Sequence, residues 1–417
     1  MNNDYRIAKN MDVWLILVYV VLVICGWFNI YATVNTDQQA SIFNVSQIYG
    51  KQMIFIIMAF VIAAIILLVD MRFFMNMSYI FYAIVLVLLV AVTLFGTKIS
   101  GARSWFTFGG FSIQPSEFAK FTTCLALAKY LSTSVVVLKD IRSQLIAMFI
   151  MLFPATLILL QPDMGSAMIF GCFILALYRE GLPAIYLWVI FFAAVLFVAA
   201  LLVQWYIILI VLAIAVSLLI FINKRTFKNI AMALLLFLGA AAYTYSADYA
   251  FQKLQTHQQD RIKILFAQEI DTQGVGYNVS QSKIAIGSGG WTGKGFMQGT
   301  QTKYNFVPEQ STDFIFCTIG EEWGFVGSVL LLVLFFILIQ RIVALAEQSR
   351  NKFSRIYGYG LASLLFFQVF INVGMTIGLL PVIGIPLPFF SYGGSSLWTY
   401  TIMLFVFIKQ SASKSMF

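Results

Sequence analysis

Residues 284–316 read IAIGSGGWTGKGFMQGTQTKYNFVPEQSTDFIF, a glycine-rich, polar and charged stretch inside a chain that is otherwise one apolar run after another. That contrast decides the fold. Of 417 residues, 61% are hydrophobic and only 10% are charged, and the mean hydropathy is +0.90. A soluble globular domain carries about 25% charged residues, and a fold of this length could not hide so much apolar surface from water. The composition predicts an all-α polytopic integral membrane protein, one domain over residues 1–417. The polar part of the stretch ends on Asp313, immediately before the chain turns apolar again as FIFCTIG.

An apolar span needs about 20 residues. Working outward, apolar runs occur at 13–31, 53–69, 79–95, 118–131, 145–160, 164–178, 185–203, 207–222, 230–242, 314–339, 357–380 and 397–408. That predicts about twelve spans, with residues 250–312 as a large extracytoplasmic loop. Pro115 opens the fourth helix, since proline suits the first helical position. The segment GTKISGARSWFTFGGFSIQPSE before it reads as a loop, and Gln161-Pro162-Asp163 breaks the path between the fifth and sixth spans.

Orientation follows from lysine and arginine in the short loops. Arg6, Lys9, Arg72, Lys139, Arg142, Arg179, Lys224, Arg225, Lys228, Arg350, Lys352, Arg355, Lys409 and Lys414 place both termini in the cytoplasm. The GARSWF segment, Asp163 and the 250–312 loop then face outside. The polar N-terminus runs into a full-length span, so no cleaved signal peptide is expected.

Lysine and arginine exceed aspartate and glutamate by 26 to 17. In a membrane protein that excess fits positive-inside loops, anionic membrane lipid and an anionic substrate. No basic run is interleaved with aromatics in a soluble module, so nucleic-acid binding is not expected. Cys25, Cys124, Cys172 and Cys317 fall inside apolar segments without metal-ligand spacing and read as packing residues. His257 is the single histidine, so no histidine cluster exists for a transition metal.

Four constellations could carry chemistry. In QPSEFAK, Glu117 and Lys120 are three apart and share a helix face. Ionisable groups in a span normally face an interior cavity; the plainer alternative is an interfacial ion pair. In QPDMGS, Asp163 could cap the sixth helix while facing the same cavity. The third is the opening stretch. Ser288 and Gly295 deny it a Walker A pattern, and Thr292 denies it a dinucleotide fingerprint. Its glycines still let a backbone approach a ligand closely, and Lys283, Lys294 and Lys303 could hold an anion there; the alternative is a solvated loop.

Asp313 is the sharpest single residue of that stretch. With Ser311 or Thr312 as N-cap it would sit in the first helical turn, where the helix dipole favours a carboxylate. Glu321 and Glu322, deeper in the same apolar run, suggest a wet cavity. The fourth constellation, GIPLPFFSYGGSS, includes Ser391. Its prolines and glycines break the helix, and such backbone survives at membrane depth only against protein or water.

In this order, GARSWF with SIQPSEFAK, LQPDMGSA, QSKIAIGSGGWTGKGFMQGTQ with FVPEQSTDFIF and EEWGFVG, and GIPLPFFSYGGSS resemble the SEDS family (shape, elongation, division and sporulation). The resemblance covers residues 101–396 and is closer to the RodA branch than to the FtsW branch. It implies a peptidoglycan glycosyltransferase that polymerises lipid II at the outer face of the bacterial inner membrane. It also implies a class B penicillin-binding protein as partner. Asp313 matches the family's essential aspartate, and Glu117 and Lys120 match its cavity pair. A carboxylate can deprotonate the acceptor hydroxyl, so Asp313 is the candidate general base of an inverting transfer. Arg103, Lys120, Lys283 and Lys294 are candidates to balance the leaving pyrophosphate. A divalent cation could share that work, though the sequence shows no dedicated ligand set.

The family has about ten spans, with one helix between LQPDMGSA and the large loop. Residues 185–242 supply about three, an apparent extra pair that conserves parity or is partly re-entrant. Two other function classes compete. A flippase of lipid-linked precursors would place its charges at mid-membrane in two halves, whereas here they gather at one mouth. A non-catalytic scaffold for a penicillin-binding protein has no need of acids in its spans.

Overall fold

The structure, a computed structural model, describes residues 11–34, 44–99, 101–109, 111–133, 136–222, 226–253, 259, 275–304 and 306–412. Arg6, Lys9, Lys224, Arg225, His257, Lys414 and most of 254–274 lie outside the described residues. The chain forms two compact units, residues 1–182 with 272–417, and residues 183–271.

In the first unit, three apolar helices come first: α1 (Val13–Val34), α2 (Ile48–Leu68) and α3 (Met71–Phe95). Asp70 caps α3 by accepting from the Arg72 backbone N–H at 2.7 Å. The GARSWF region is a loop in the sequence reading but folds as an antiparallel meander of β1 (Thr97–Ile99), β2 (Ala102–Phe108) and β3 (Phe111–Ile113). Its β-branched and aromatic side chains suit a pleated surface, and that preference outweighs the glycines between them.

α4 (Pro115–Ser132) begins at its proline as expected, and α5 (Ile141–Leu159) follows. The sixth apolar run is not one helix. It divides into α6 (Met164–Ile169), a 3₁₀ turn (Phe170–Cys172) and α7 (Phe173–Arg179). The predicted polar loop carries helices of its own among the described residues, α11 (Val275–Gly289) and α12 (Thr300–Lys303). The apolar run at 314–339 is also broken. α13 (Ile315–Glu322) is a short separate helix, and α14 (Gly324–Glu347) is the span. α15 (Lys352–Thr376) and α16 (Gly394–Ala412) complete the unit.

α4 packs against α3, α5, α15 and α16, and α16 also covers α2. Almost every side chain of α4 and α16 is buried. Helices enclosed by protein rather than lipid need no apolar exterior, which is why these two carry Glu117, Lys120, Ser395 and Thr399 inside.

The second unit packs α8 (Ile185–Leu202), α9 (Trp205–Ile222) and α10 (Phe227–Lys253) together. Its three helices match the sequence expectation, although α10 runs past residue 242 to Lys253. Trp188, Phe191, Phe221 and Leu235 are exposed on it, as befits helices that are apolar on all sides in lipid. Each of the twelve apolar runs holds a helix. Among the described residues, eight helices are long and apolar enough to cross a membrane.

Candidate active site

The non-helical backbone between α15 and α16 organises the site. Its Leu387 N–H donates to Ser391 Oγ at 2.8 Å, and Ser391 Oγ donates to the Thr312 carbonyl at 2.6 Å. Next along, the Tyr392 N–H donates to the Ser311 carbonyl at 2.9 Å. From α15, the Asn372 amide donates to the carbonyls of Asp313, at 2.8 Å, and Ile385, at 2.7 Å. These bonds fasten the Asp313 turn to the GIPLPFFSYGG segment.

Asp313 precedes α13 instead of lying in its first turn. The N-cap residue is Phe314, which makes no side-chain cap. Neither Ser311 nor Thr312 is the N-cap, and the Thr312 hydroxyl donates to Glu309 Oε2 at 2.8 Å. Gly384 adopts φ +70°, and a Cβ built there would lie 3.4 Å from Asp313 Oδ2. The carboxylate therefore rests beside this backbone, and the left-handed φ favours glycine at the turn.

Asp163 reaches the same segment from another direction. Its Oδ1 accepts from the Ser166 N–H at 3.0 Å and caps α6, as predicted. Its Oδ2 accepts from Gln114 Nε2 at 3.0 Å, and the Gln114 N–H donates to Ser395 Oγ at 3.1 Å. A Cβ at Gly165 would fall 2.0 Å from the Ile383 carbonyl, so α6 lies directly on this backbone. Ile383 and Gly384 thus bring the neighbourhoods of Asp163 and Asp313 together.

Glu117 and Lys120 lie inside the bundle on α4, and both are buried. Lys120 Nζ is 2.6 Å from Glu117 Oε1 and 5.7 Å from the centre of the Tyr400 ring on α16. Glu117 Oε2 has no partner within the protein. Both side chains are almost fully inaccessible.

Lys294 and Glu321 engage each other. Lys294 Nζ lies 2.7 Å from the fully buried Glu321 Oε1, whose carboxylate also accepts from the Gln301 and Thr302 N–H groups at 2.9 Å each. It thereby satisfies the open N–H groups of α12. Burial raises the Glu321 carboxyl, but Lys294 and those two N–H groups outweigh it and hold it below the usual carboxylate range. Both acids stand ahead of the α14 span. Burial, opposed by a bond from the Met297 backbone and reinforced by the Glu321 charge, pushes Glu322 up to about 7.

The glycine-rich loop approaches the chain's own backbone. The Lys294 N–H donates to the Glu321 carbonyl at 3.0 Å, and the Gly295 N–H to the Glu322 carbonyl at 2.9 Å. Gly293 has φ +80°, and a Cβ on it would lie 2.1 Å from the Glu322 carbonyl. The glycines close the loop over the α13–α14 break.

Two further predicted cations are exposed. Lys283 is exposed on α11 and packs at Gly378, just beyond the C-terminus of α15, where a cation suits the helix dipole. Arg103 is exposed on β2 in register with exposed Lys98 on β1. Among the described residues, no group of three or more His, Cys, Asp and Glu side chains converges. The sequence reading passed over Asn372; an amide in an apolar span was the available signal.

The family described as "Cell cycle protein", covering FtsW, RodA and SpoVE, matches residues 12–209 and 185–415. The chain is 33% identical over 425 residues to the peptidoglycan glycosyltransferase RodA of Treponema pallidum, covering 95% of this chain and 96% of that one. It is 35% identical over 319 residues to the peptidoglycan glycosyltransferase MrdB of Escherichia coli K12, covering 76% and 72%. A solved structure described as "Structural coordination of polymerization and crosslinking by a peptidoglycan synthase complex" matches with TM-score 0.71 at 26% identity, covering 98% of this chain and 99% of that one. Thermus thermophilus RodA shares the fold, with TM-score 0.62 at 24% identity and 97% of each chain covered.

Proposed function

This chain belongs to the FtsW, RodA and SpoVE family of cell cycle proteins, and on that premise we propose that it is a multi-pass peptidoglycan glycosyltransferase of the RodA branch. It polymerises lipid II into glycan strands during cell elongation and the maintenance of cell shape. A relative named as a peptidoglycan glycosyltransferase matches it over 96% of that relative's length. The observation that carries the site assignment is the fastening of the Thr312–Asp313 backbone by Ser391 and Asn372, with the Asp313 carboxylate beside Gly384.

In the reaction, the acceptor's 4-hydroxyl attacks the anomeric carbon of a donor sugar on undecaprenyl pyrophosphate. The new C–O bond forms as the C–O bond to the pyrophosphate breaks, with inversion. Asp313 accepts the hydroxyl proton, a role worth about 10²- to 10⁴-fold. Asp163, Ser391 and the buried Glu117–Lys120 pair shape the cavity around it. Arg103 and Lys283, both exposed, remain to draw the pyrophosphate, whereas Lys294 and Glu321 hold the loop.

The short-loop charges put both termini in the cytoplasm and the site outside, with twelve spans, ten of them the family core and two supplied by residues 185–242. A class B penicillin-binding protein that crosslinks the product is the partner this reading calls for. It finds support in the likeness to a synthase complex that couples polymerization to crosslinking.

The test is to purify the chain, alone and with such a partner, and supply lipid II in detergent, where no bilayer sidedness remains. Polymer that disappears with Asp313→Ala is the expected result. Normal polymer from that variant sinks the catalytic assignment. No polymer from either form favours a flippase or a scaffold.

A further inference from the structure

Pro154 is buried inside α5, a helix long and apolar enough to cross a membrane. Proline has no backbone N–H, so the Ile150 carbonyl, four residues earlier, loses its helical donor. At membrane depth a carbonyl freed in this way must find another partner. A neighbouring helix supplies it: the Tyr82 hydroxyl on α3 donates to the Ile150 carbonyl at 2.9 Å.

Beyond Pro154 the chain is one hydrogen-bonded piece as far as Asp163. The Leu160 N–H donates to the Thr156 carbonyl at 3.2 Å. The N–H groups of Gln161 and Asp163 both donate to the Ile158 carbonyl, at 3.0 and 3.4 Å. Gln161 Nε2 donates to the Leu89 carbonyl of α3 at 3.0 Å. Tyr82 and Leu89 are about two turns apart on α3, so one face of α3 grips α5 on both sides of the proline.

This piece ends at the candidate site. Asp163 caps α6 and accepts from Gln114. Gly165 on α6 lies against the Ile383 carbonyl, and the next residue, Gly384, is the one beside the Asp313 carboxylate. A helix bends where proline removes a bond, so the angle at Pro154 sets where Asp163 and α6 meet the Ile383–Gly384 backbone.

We propose that Tyr82 is a positioning residue. Its hydroxyl replaces the donor that Pro154 lacks, and so fixes the angle at which α5 delivers Asp163 to the site. Where turnover is concerned, this rests on the glycosyltransferase reading.

The test compares Tyr82→Phe, Pro154→Ala and the double variant in detergent, by amide hydrogen exchange and by lipid II polymerisation. In Tyr82→Phe, exchange should quicken about three- to tenfold over residues 155–167, the scale of one hydrogen bond, and stay unchanged over 141–149. Its kcat should fall about tenfold, as expected for a displaced site group, with KM unchanged. Pro154→Ala restores a main-chain donor, so the double variant should recover both protection and turnover. Exchange that quickens equally on both sides of position 154, or not at all, overturns the proposal. A double variant as impaired as Tyr82→Phe does the same, because the hydroxyl would then act elsewhere. A Tyr82→Phe chain that fails to fold, or that melts lower with full turnover, makes the bond structural alone and also overturns it. A parent chain without polymerase activity sinks the functional reading, and exchange, which needs no turnover, still decides the hinge.

Discussion

The Asn372 side chain, fully buried on α15, holds the backbone carbonyl of Asp313 at 2.8 Å and that of Ile385 at 2.7 Å. One amide thus ties the turn carrying the proposed base to the broken backbone that forms its wall. Asn372→Leu leaves both carbonyls without this donor, at about 1–3 kcal/mol for each buried group. We expect polymerisation to fall about 10- to 100-fold with the Asp313 carboxylate still present, a scale set by misplacement of a reacting group. Parallel lipid II assays and melting curves check this. A variant that loses stability but keeps full turnover would show that the bonds serve folding alone.

Lys294 and Glu321 differ in exposure, so their removal should cost different amounts. Glu321 is fully buried while Lys294 is 26% exposed. Lys294→Ala leaves the carboxylate two backbone N–H groups, whereas Glu321→Ala strands those groups and the ammonium together. The loss for Glu321→Ala should reach about 3–5 kcal/mol, the range for breaking a buried pair, and Lys294→Ala should cost less. Hydrogen exchange over residues 290–304 reads the difference directly. Equal protection loss in the two variants would count against the capping role.

Stability should depend on pH through Glu322. The folded chain holds this proton more tightly than the unfolded chain, raising the carboxyl from 4.5 to about 7. Stability therefore falls as pH rises across that window and levels off above it. Glu321 has the opposite sign: its lowered pKa stabilises above the unfolded value and is lost as pH falls. Thermal unfolding of the parent and Glu322→Gln between about pH 5 and pH 8 separates the two. The parent should lose Tm toward the alkaline end and Glu322→Gln should not.

Two glycines of one loop should respond unequally to alanine. Gly290 and Gly293 have φ of +57° and +80°, but a Cβ on Gly290 meets nothing within 4 Å while one on Gly293 lies 2.1 Å from a carbonyl oxygen. Gly290→Ala should cost about 1–2 kcal/mol, the left-handed penalty. Gly293→Ala should cost more, since the α13–α14 break must move. Comparable melting points would refute the close approach.

The membrane fold was legible because it is written in composition. Every long apolar run holds a helix, and Pro115 and Asp163 mark helix starts that local chemistry alone can specify. Boundaries inside the apolar runs were not legible. The break at Trp323-Gly324 depends on the Phe325 and Val326 N–H groups bonding to Gly290 and Trp291, more than thirty residues upstream. Nothing in FIFCTIGEEWGFVG by itself shows that bond. The GARSWF meander was missed for a related reason: its glycines read as loop until strand pairing is in view.

By itself the sequence determined a polytopic membrane protein, an acid at the edge of a polar stretch, and four motifs that belong together. Hydrophobic run length and motif order suffice for those, because each is a property of neighbouring residues. Tertiary structure decided which charges are spent on the protein itself. Lys294 and Glu321 are consumed by each other and by α12, and the backbone carbonyl of Asp313 is held by Asn372. Whether an ionisable group is available for chemistry depends on partners brought close by folding, and the chain order of residues 284–316 does not record that.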